Sequence, residues 1–199
     1  MYSALRTIGN DREIKAVLIL SSVHGEGASL VCFQFAHSIA QGEGEKVLLV
    51  DANLRNPSLH SLCDLEQGTG LVDLLEGRVS ADEIVRETAQ PGLSIVTAGA
   101  QTKDAPRLLG SSQLIKAVEI WKKRFSLVIF DTSPVLAYAD AVVLGRFLDG
   151  VIMVVHAGKT RWEVIQRAQE ILKNAKANVI GVVLNKRQYV IPKLVYRRL

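Results

Sequence analysis

The sequence predicts an α/β fold, a parallel sheet with helices on both faces, and three observations carry that prediction. Short apolar runs alternate with segments of helical length, the runs lack the apolar-polar alternation of a half-wet sheet, and the first run ends in a glycine loop that opens a helix. Lys15 to Ser21 (KAVLILS) is the first strand, followed by the loop SSVHGEGAS and a helix over Ser29 to Gln41. Lys46 to Asp51 repeats the buried-strand signature, as do Leu93 to Val96, Leu127 to Asp131, Gly150 to Val155 and Val179 to Leu184. Helical periodicity marks Leu71 to Glu76, Ala81 to Thr88, Ser112 to Arg124, Asp140 to Phe147 and Arg161 to Asn174. A helical stub precedes a polar break at Asn10 to Arg12, and Gln101 to Pro106 reads as a surface loop. Right-handed crossovers would bring the loops after the strands to one edge, where ligands bind in such folds.

At 199 residues, 48% of them apolar and 22% charged, the chain suits a single domain spanning 1–199 rather than a disordered or fibrous chain. No apolar run reaches the ~18 to 20 residues that span a bilayer, and the first sixteen residues do not read as a secretory signal. Cys32 and Cys63 share no CxxC spacing, which suits structural thiols of a reducing compartment. His24, His37, His60 and His156 are too scattered to suggest a metal cluster. The net charge of +4 belongs to the tail, because residues 185–199 hold five of the 24 Lys and Arg and no acid, leaving 19 against 20 acids in the body. A near-neutral body argues against nucleic acid as a partner.

The loop from Ser22 to Ser29 joins strand to helix, where backbone N–H groups and a helix N-terminus cradle phosphate. Against the phosphate-loop pattern GxxxxGK[ST], Gly27 and Ser29 match and Ala28 replaces the lysine. A GxG here also suits a dinucleotide binder, but its further glycine and distant acid are not convincingly placed. Asp51 ends the second strand, with Asn53 and Arg55 just beyond, and Asp131 ends the Leu127 strand. A magnesium-nucleotide site needs a hydroxyl on the metal and acids close by, and Ser29, Asp51 and Asp131 fall on one predicted edge.

These segments resemble the cytoplasmic domain of bacterial tyrosine kinases (BY-kinases), autokinase partners of polysaccharide co-polymerases. YSALRT, SSVHGEGAS (Walker A), VLLVDANLRNPSLH (Walker A′), LVIFDTSPVLAYADA (Walker B), DGVIMVVHAGKTR and GVVLNK carry the likeness over nearly the whole chain. YSALRT begins inside the family's first motif, as expected of a piece of a longer co-polymerase. The resemblance implies a P-loop NTPase-like fold in which Gly25 to Ser29 line the triphosphate. It gives Ser29 and Asp51 to magnesium directly and Asp131 to magnesium through water. Asn185 matches an asparagine that contacts the base in related ATPases, and a strand-end cap remains an equal alternative.

Departures from the family pattern concentrate on the chemistry. Where the family loop reads PGEGKST, the segment His24, Gly25, Glu26, Gly27, Ala28, Ser29, Leu30 has lost the proline, the lysine and the threonine. Losing one charge-assisted phosphate contact costs roughly 1.5 to 3 kcal/mol, about 10 to 100-fold in binding. Asn53 replaces the second aspartate of the family's DxD and cannot take a proton. Of the assembly motif ExxRxxR only Arg6 survives, and the tyrosine-rich tail is reduced to Tyr189 and Tyr196 as phosphoacceptors.

The resulting expectation is a degenerate BY-kinase-like domain that regulates exopolysaccharide or capsule biosynthesis and export, with weak or absent ATP binding and kinase activity. It would be cytoplasmic, at the inner face of the plasma membrane, docked on a transmembrane polysaccharide co-polymerase, with homo-oligomerisation in doubt. Its cofactor would be Mg-ATP or Mg-ADP if the site still functions, and none otherwise. The first alternative is an active autokinase in which Arg55, Lys159 or Arg161 supplies the missing cation. The second is a membrane-associated partition-type ATPase, which would carry an early loop lysine that Ser22 to Leu30 lacks. The basic tail from residue 185 either contacts an anionic membrane surface or packs on the domain with its charges solvated.

Overall fold

A computed structural model describes residues 13–42 and 44–188. The expectations for the N-terminal stub, the Asn10 to Arg12 break, the ExxRxxR remnant, Tyr189, Tyr196 and most of the basic tail lie outside the described residues. Seven strands form one sheet: β1 (Ala16–Ser21), β2 (Val47–Asp51), β3 (Arg86–Glu87), β4 (Leu93–Val96), β5 (Leu127–Asp131), β6 (Gly150–His156) and β7 (Val179–Asn185). Their order across it is β3-β4-β2-β5-β1-β6-β7, and every pairing is parallel except β3 with β4.

The period-two geometry of a strand divides the apolar runs between two cores. Val17, Ile19, Leu49, Ile129 and Val154 face α1 (Ala28–Ala40) and α2 (Leu59–Leu62). Leu18, Leu20, Val50, Phe130 and Met153 face the opposite layer. That layer comprises α3 (Leu71–Leu75), α4 (Ala105–Leu109), α5 (Ser112–Arg124), α6 (Asp140–Gly145) and α7 (Trp162–Asn174). Each aliphatic side chain fully buried there contributes about 1.5–3 kcal/mol, which explains why these strands are apolar on both faces. Because the main strands are parallel, the ends of β1, β2, β5, β6 and β7 lie along one edge.

The helix expected over Ala81 to Thr88 is not formed. Residues 81–84 are turn, and Arg86–Glu87 pairs antiparallel with β4. Glu83 accepts from the Ser80 N–H as a helix start would, at 2.7 Å. Two long-range contacts override that start: the Trp121 indole donates to the Ala81 carbonyl at 3.2 Å, and the Thr88 N–H bonds Leu93 O around the turn at Gly92. The segment expected as loop to Pro106 instead opens α4, with Pro106 in its first turn, where its fixed φ and missing N–H are harmless. Helix α2 falls in a segment read from sequence only as the continuation of a motif.

Candidate functional site

The loop between β1 and α1 is held from beneath by its own acid. Glu26 is 1% exposed, and its carboxylate accepts from the Ser22 and Val23 N–H groups at 2.6 and 3.0 Å. Its other oxygen accepts from the Thr160 hydroxyl at 2.5 Å, tying the β6–α7 loop to this one. Glu26 therefore shapes the loop rather than presenting its side chain to a ligand. Gly25 and Gly27 have φ of 84° and 88°, left-handed values that an L side chain rarely adopts. A Cβ at Gly27 would also lie 2.6 Å from Asn185 Nδ2.

Asn185 closes the loop from the far side of the sheet. Its amide donates to Glu26 O at 2.9 Å and its oxygen accepts the Lys186 N–H at 2.9 Å. The amide is thus a brace for the loop, whichever ligand the loop holds. Lys186, counted only as part of the basic tail by sequence reasoning, sends Nζ back to Gly25 O at 2.8 Å. Ala28 begins α1 with its methyl group in the core, and Ser29 is half-buried beside it. His24 and Leu30 are exposed, and the His24 ring stands edge-on to Tyr138 with centroids 6.1 Å apart.

The two strand-end acids are register partners, Asp51 opposite Asp131, and both are fully buried. Asp51 accepts from the Asn53, Ser58 and Leu59 N–H groups at 3.2, 3.0 and 2.9 Å. Burial pushes its carboxyl up to about 6, and those three donors offset only part of the effect. Both Asp131 carboxylate oxygens lack a hydrogen-bond partner among the described residues. Burial first, then repulsion from Asp51, holds the Asp131 carboxyl well above the usual range, while the nearby Ser29 hydroxyl and the Thr132 N–H pull it back only partly. A divalent cation relieves both the desolvation and the repulsion, and the oxygen set of Ser29, Asp51 and Asp131 suits magnesium, which keeps several waters and phosphate ligands of its own. The residues present fit that ion.

The remaining candidates are placed less favourably for chemistry. The Asn53 side-chain oxygen accepts from the Ser133 hydroxyl at 2.8 Å and from the Asn56 N–H at 3.3 Å. It is occupied in joining the β2 and β5 loops. Arg55 is committed to the buried Asp140 by two hydrogen bonds of 2.7 and 3.2 Å and lies over the Tyr138 ring at 4.3 Å. Lys159 and Arg161 flank Thr160, but neither side chain makes a hydrogen bond or ion pair with the loop in the described residues. An open pocket of about 770 Å³ lies between residues 156–159 and the chain after β7, with Leu184, Lys159 and Lys186 in its walls.

No family model matches the chain. It is 36% identical over 175 residues to the tyrosine-protein kinase YwqD of Bacillus subtilis (strain 168), covering 88% of this chain and 73% of that protein. Tyrosine-protein kinase CpsD of Streptococcus agalactiae serotype III (strain NEM316) is 33% identical over 189 residues, 93% of this chain and 81% of its own. Among solved structures, the kinase domain of the Escherichia coli tyrosine kinase ETK aligns with a TM-score of 0.89 at 26% identity, covering 96% of this chain and 76% of that one.

Proposed function

The chain belongs to the bacterial tyrosine-kinase family, and we propose that within it this domain is a catalytically impaired form that regulates exopolysaccharide or capsule production. The observation that carries this reading is the pairing of an intact strand-end acid site with the loss of the two groups that do the chemistry. Ser29, Asp51 and Asp131 converge at the edge of β2 and β5, whereas Ala28 places a methyl group in the core at the lysine position. Magnesium bound there would neutralise phosphate charge. The loop amides would position the phosphates, and Asn185 and Glu26 would keep those amides in place.

Phosphoryl transfer is mostly positioning and charge stabilisation, so a missing fixed cation removes transition-state stabilisation directly. A carboxamide at Asn53 accepts hydrogen bonds but takes no proton from an attacking tyrosine. A missing cation of 10- to 100-fold and a missing base of about 10²-fold or more combine to a loss of roughly 10³-fold at least. With turnover that low, the domain acts through its shape and its nucleotide state, docked on a membrane-spanning co-polymerase at the inner face of the plasma membrane. Co-purification with that partner, with and without Mg-ATP, tests the docking. Incubation of the pure chain with Mg-ATP tests the impairment: phosphotyrosine at Tyr189 and Tyr196 is expected to stay at background. Magnesium-dependent labelling that Asp51→Ala abolishes contradicts the reading.

A further inference from the structure

We infer that Lys186 is a phosphate-binding cation of this site, supplying from the far end of β7 the charge absent at Ala28, for a nucleoside polyphosphate. The inference deepens the reading above and rests on its nucleotide site. Residues 22–30 contain no Lys or Arg, so any fixed positive charge must enter from another element. Lys186 does so: Nζ lies 2.8 Å from Gly25 O, and Cε would be 3.4 Å from a Cβ at Gly27. Its stem therefore crosses the glycine pair of the phosphate loop. An ammonium has three donors, and the carbonyl takes one, leaving two for phosphate oxygens.

The anchoring argues against a wandering surface lysine. Asn185 is bonded to Glu26 O through its amide and, through its own carbonyl, to the Ala157 N–H at 2.9 Å. The Lys186 N–H bonds back to Asn185 Oδ1 at 2.9 Å, and its φ is 55°, a left-handed conformation disfavoured for a residue with a side chain. The unusual backbone aims the chain toward the loop. The three cations that sequence reasoning nominated are less suited. Arg55 is neutralised by the buried Asp140, and among the described residues Lys159 and Arg161 make no hydrogen bond to the loop. Lys186 and Lys159 share the walls of an open pocket at the ends of β6 and β7, and Lys186 is exposed to solvent there.

A lysine in this position restores binding without restoring transfer, because it is anchored outside the first turn of α1 and leaves Asn53 unchanged. The test is titration calorimetry of the full chain with Mg-ATP, Mg-ADP and AMP, using wild type, Lys186→Met, Lys186→Arg and Lys159→Met. Wild type is expected to bind Mg-ATP. Lys186→Met should weaken Mg-ATP and Mg-ADP by about 10- to 100-fold while moving AMP and the melting temperature little. Lys186→Arg should stay within a few-fold of wild type, and Lys159→Met should matter less than Lys186→Met.

Absence of wild-type binding, or equal Mg-ATP affinity in wild type and Lys186→Met, overturns the assignment. An equal loss for Mg-ATP and AMP also overturns it, because it would mark Lys186 as a loop latch only. The functional reading fails on a separate signal, phosphotyrosine formed by the wild-type chain, which calorimetry does not measure.

Discussion

Among the described residues Asp131 is a buried carboxylate whose oxygens make no full hydrogen bond, with only the nearby Ser29 hydroxyl and Thr132 N–H to ease its charge beside buried Asp51, and it destabilises the metal-free fold at neutral pH. Asp131→Asn removes that charge and gives Asp51 an amide neighbour. It should raise the stability of the magnesium-free chain at pH 8 by about 1–3 kcal/mol while abolishing magnesium dependence of nucleotide binding. The sign with pH follows from Asp51, whose carboxyl sits near 6 when folded against 3.8 ordinarily. The folded chain binds this proton more tightly than the unfolded chain, so the contribution is complete below 3.8 and is lost as pH rises through about 6. Denaturation at pH 5 and pH 8 without magnesium should therefore show wild type losing more stability over that interval than Asp131→Asn. Magnesium affinity runs the other way and strengthens as pH rises through about 6, when Asp51 ionises. A further buried acid, Asp140, is compensated by Arg55. Arg55→Met alone should cost about 3–5 kcal/mol by stranding that charge, and adding Asp140→Leu should recover most of the loss, as a double-mutant melt would show.

At the level of elements, the phosphate loop depends on a buried carboxylate that joins two connections, β1–α1 and β6–α7. Glu26→Gln keeps the volume but presents an amide donor to groups that already donate. About 1–3 kcal/mol of stability should be lost, and nucleotide binding should fall with it, as measured by chemical denaturation and calorimetry. Five of the six parallel strands were legible in the sequence because burial on both faces demands apolar runs such as VLILS and LVIFD, whereas β7, whose run also reads as a buried strand, is an edge strand with Val182 and Leu184 exposed. Elements fixed by distant partners were not. Helix α2 is one turn long and begins where Ser58 and Leu59 donate to Asp51, a contact that no local periodicity signals. The 81–84 turn follows from Trp121, forty residues away, and the helix signal of Ser80 and Glu83 loses to it. Strand-end position found Asp51, Asp131 and the glycine loop. It missed Lys186 because charge counting assigned that residue to the tail and gave no hint that its left-handed backbone turns it back.

Over the whole molecule, the parallel sheet brings five loops to one edge, and Ser29, Asp51, Asp131, Asn185 and Lys186 arrive there from β1, β2, β5 and β7. On the proposed reading the site outlasts the loss of single chemical groups, because the loop geometry and the acid pair rest on the sheet rather than on the missing side chains. Among the described residues no helix is long and apolar enough to cross a membrane. On the proposed reading the scaffold is kept while transfer is lost at positions 28 and 53. Intact-mass and phosphopeptide analysis after incubation with Mg-ATP, comparing wild type with the Ala28→Lys, Asn53→Asp double variant, tests it most directly. No phosphotyrosine is expected on the wild-type chain, and a gain is expected in the double variant. Stoichiometric, magnesium-dependent phosphotyrosine on the wild-type chain would contradict it.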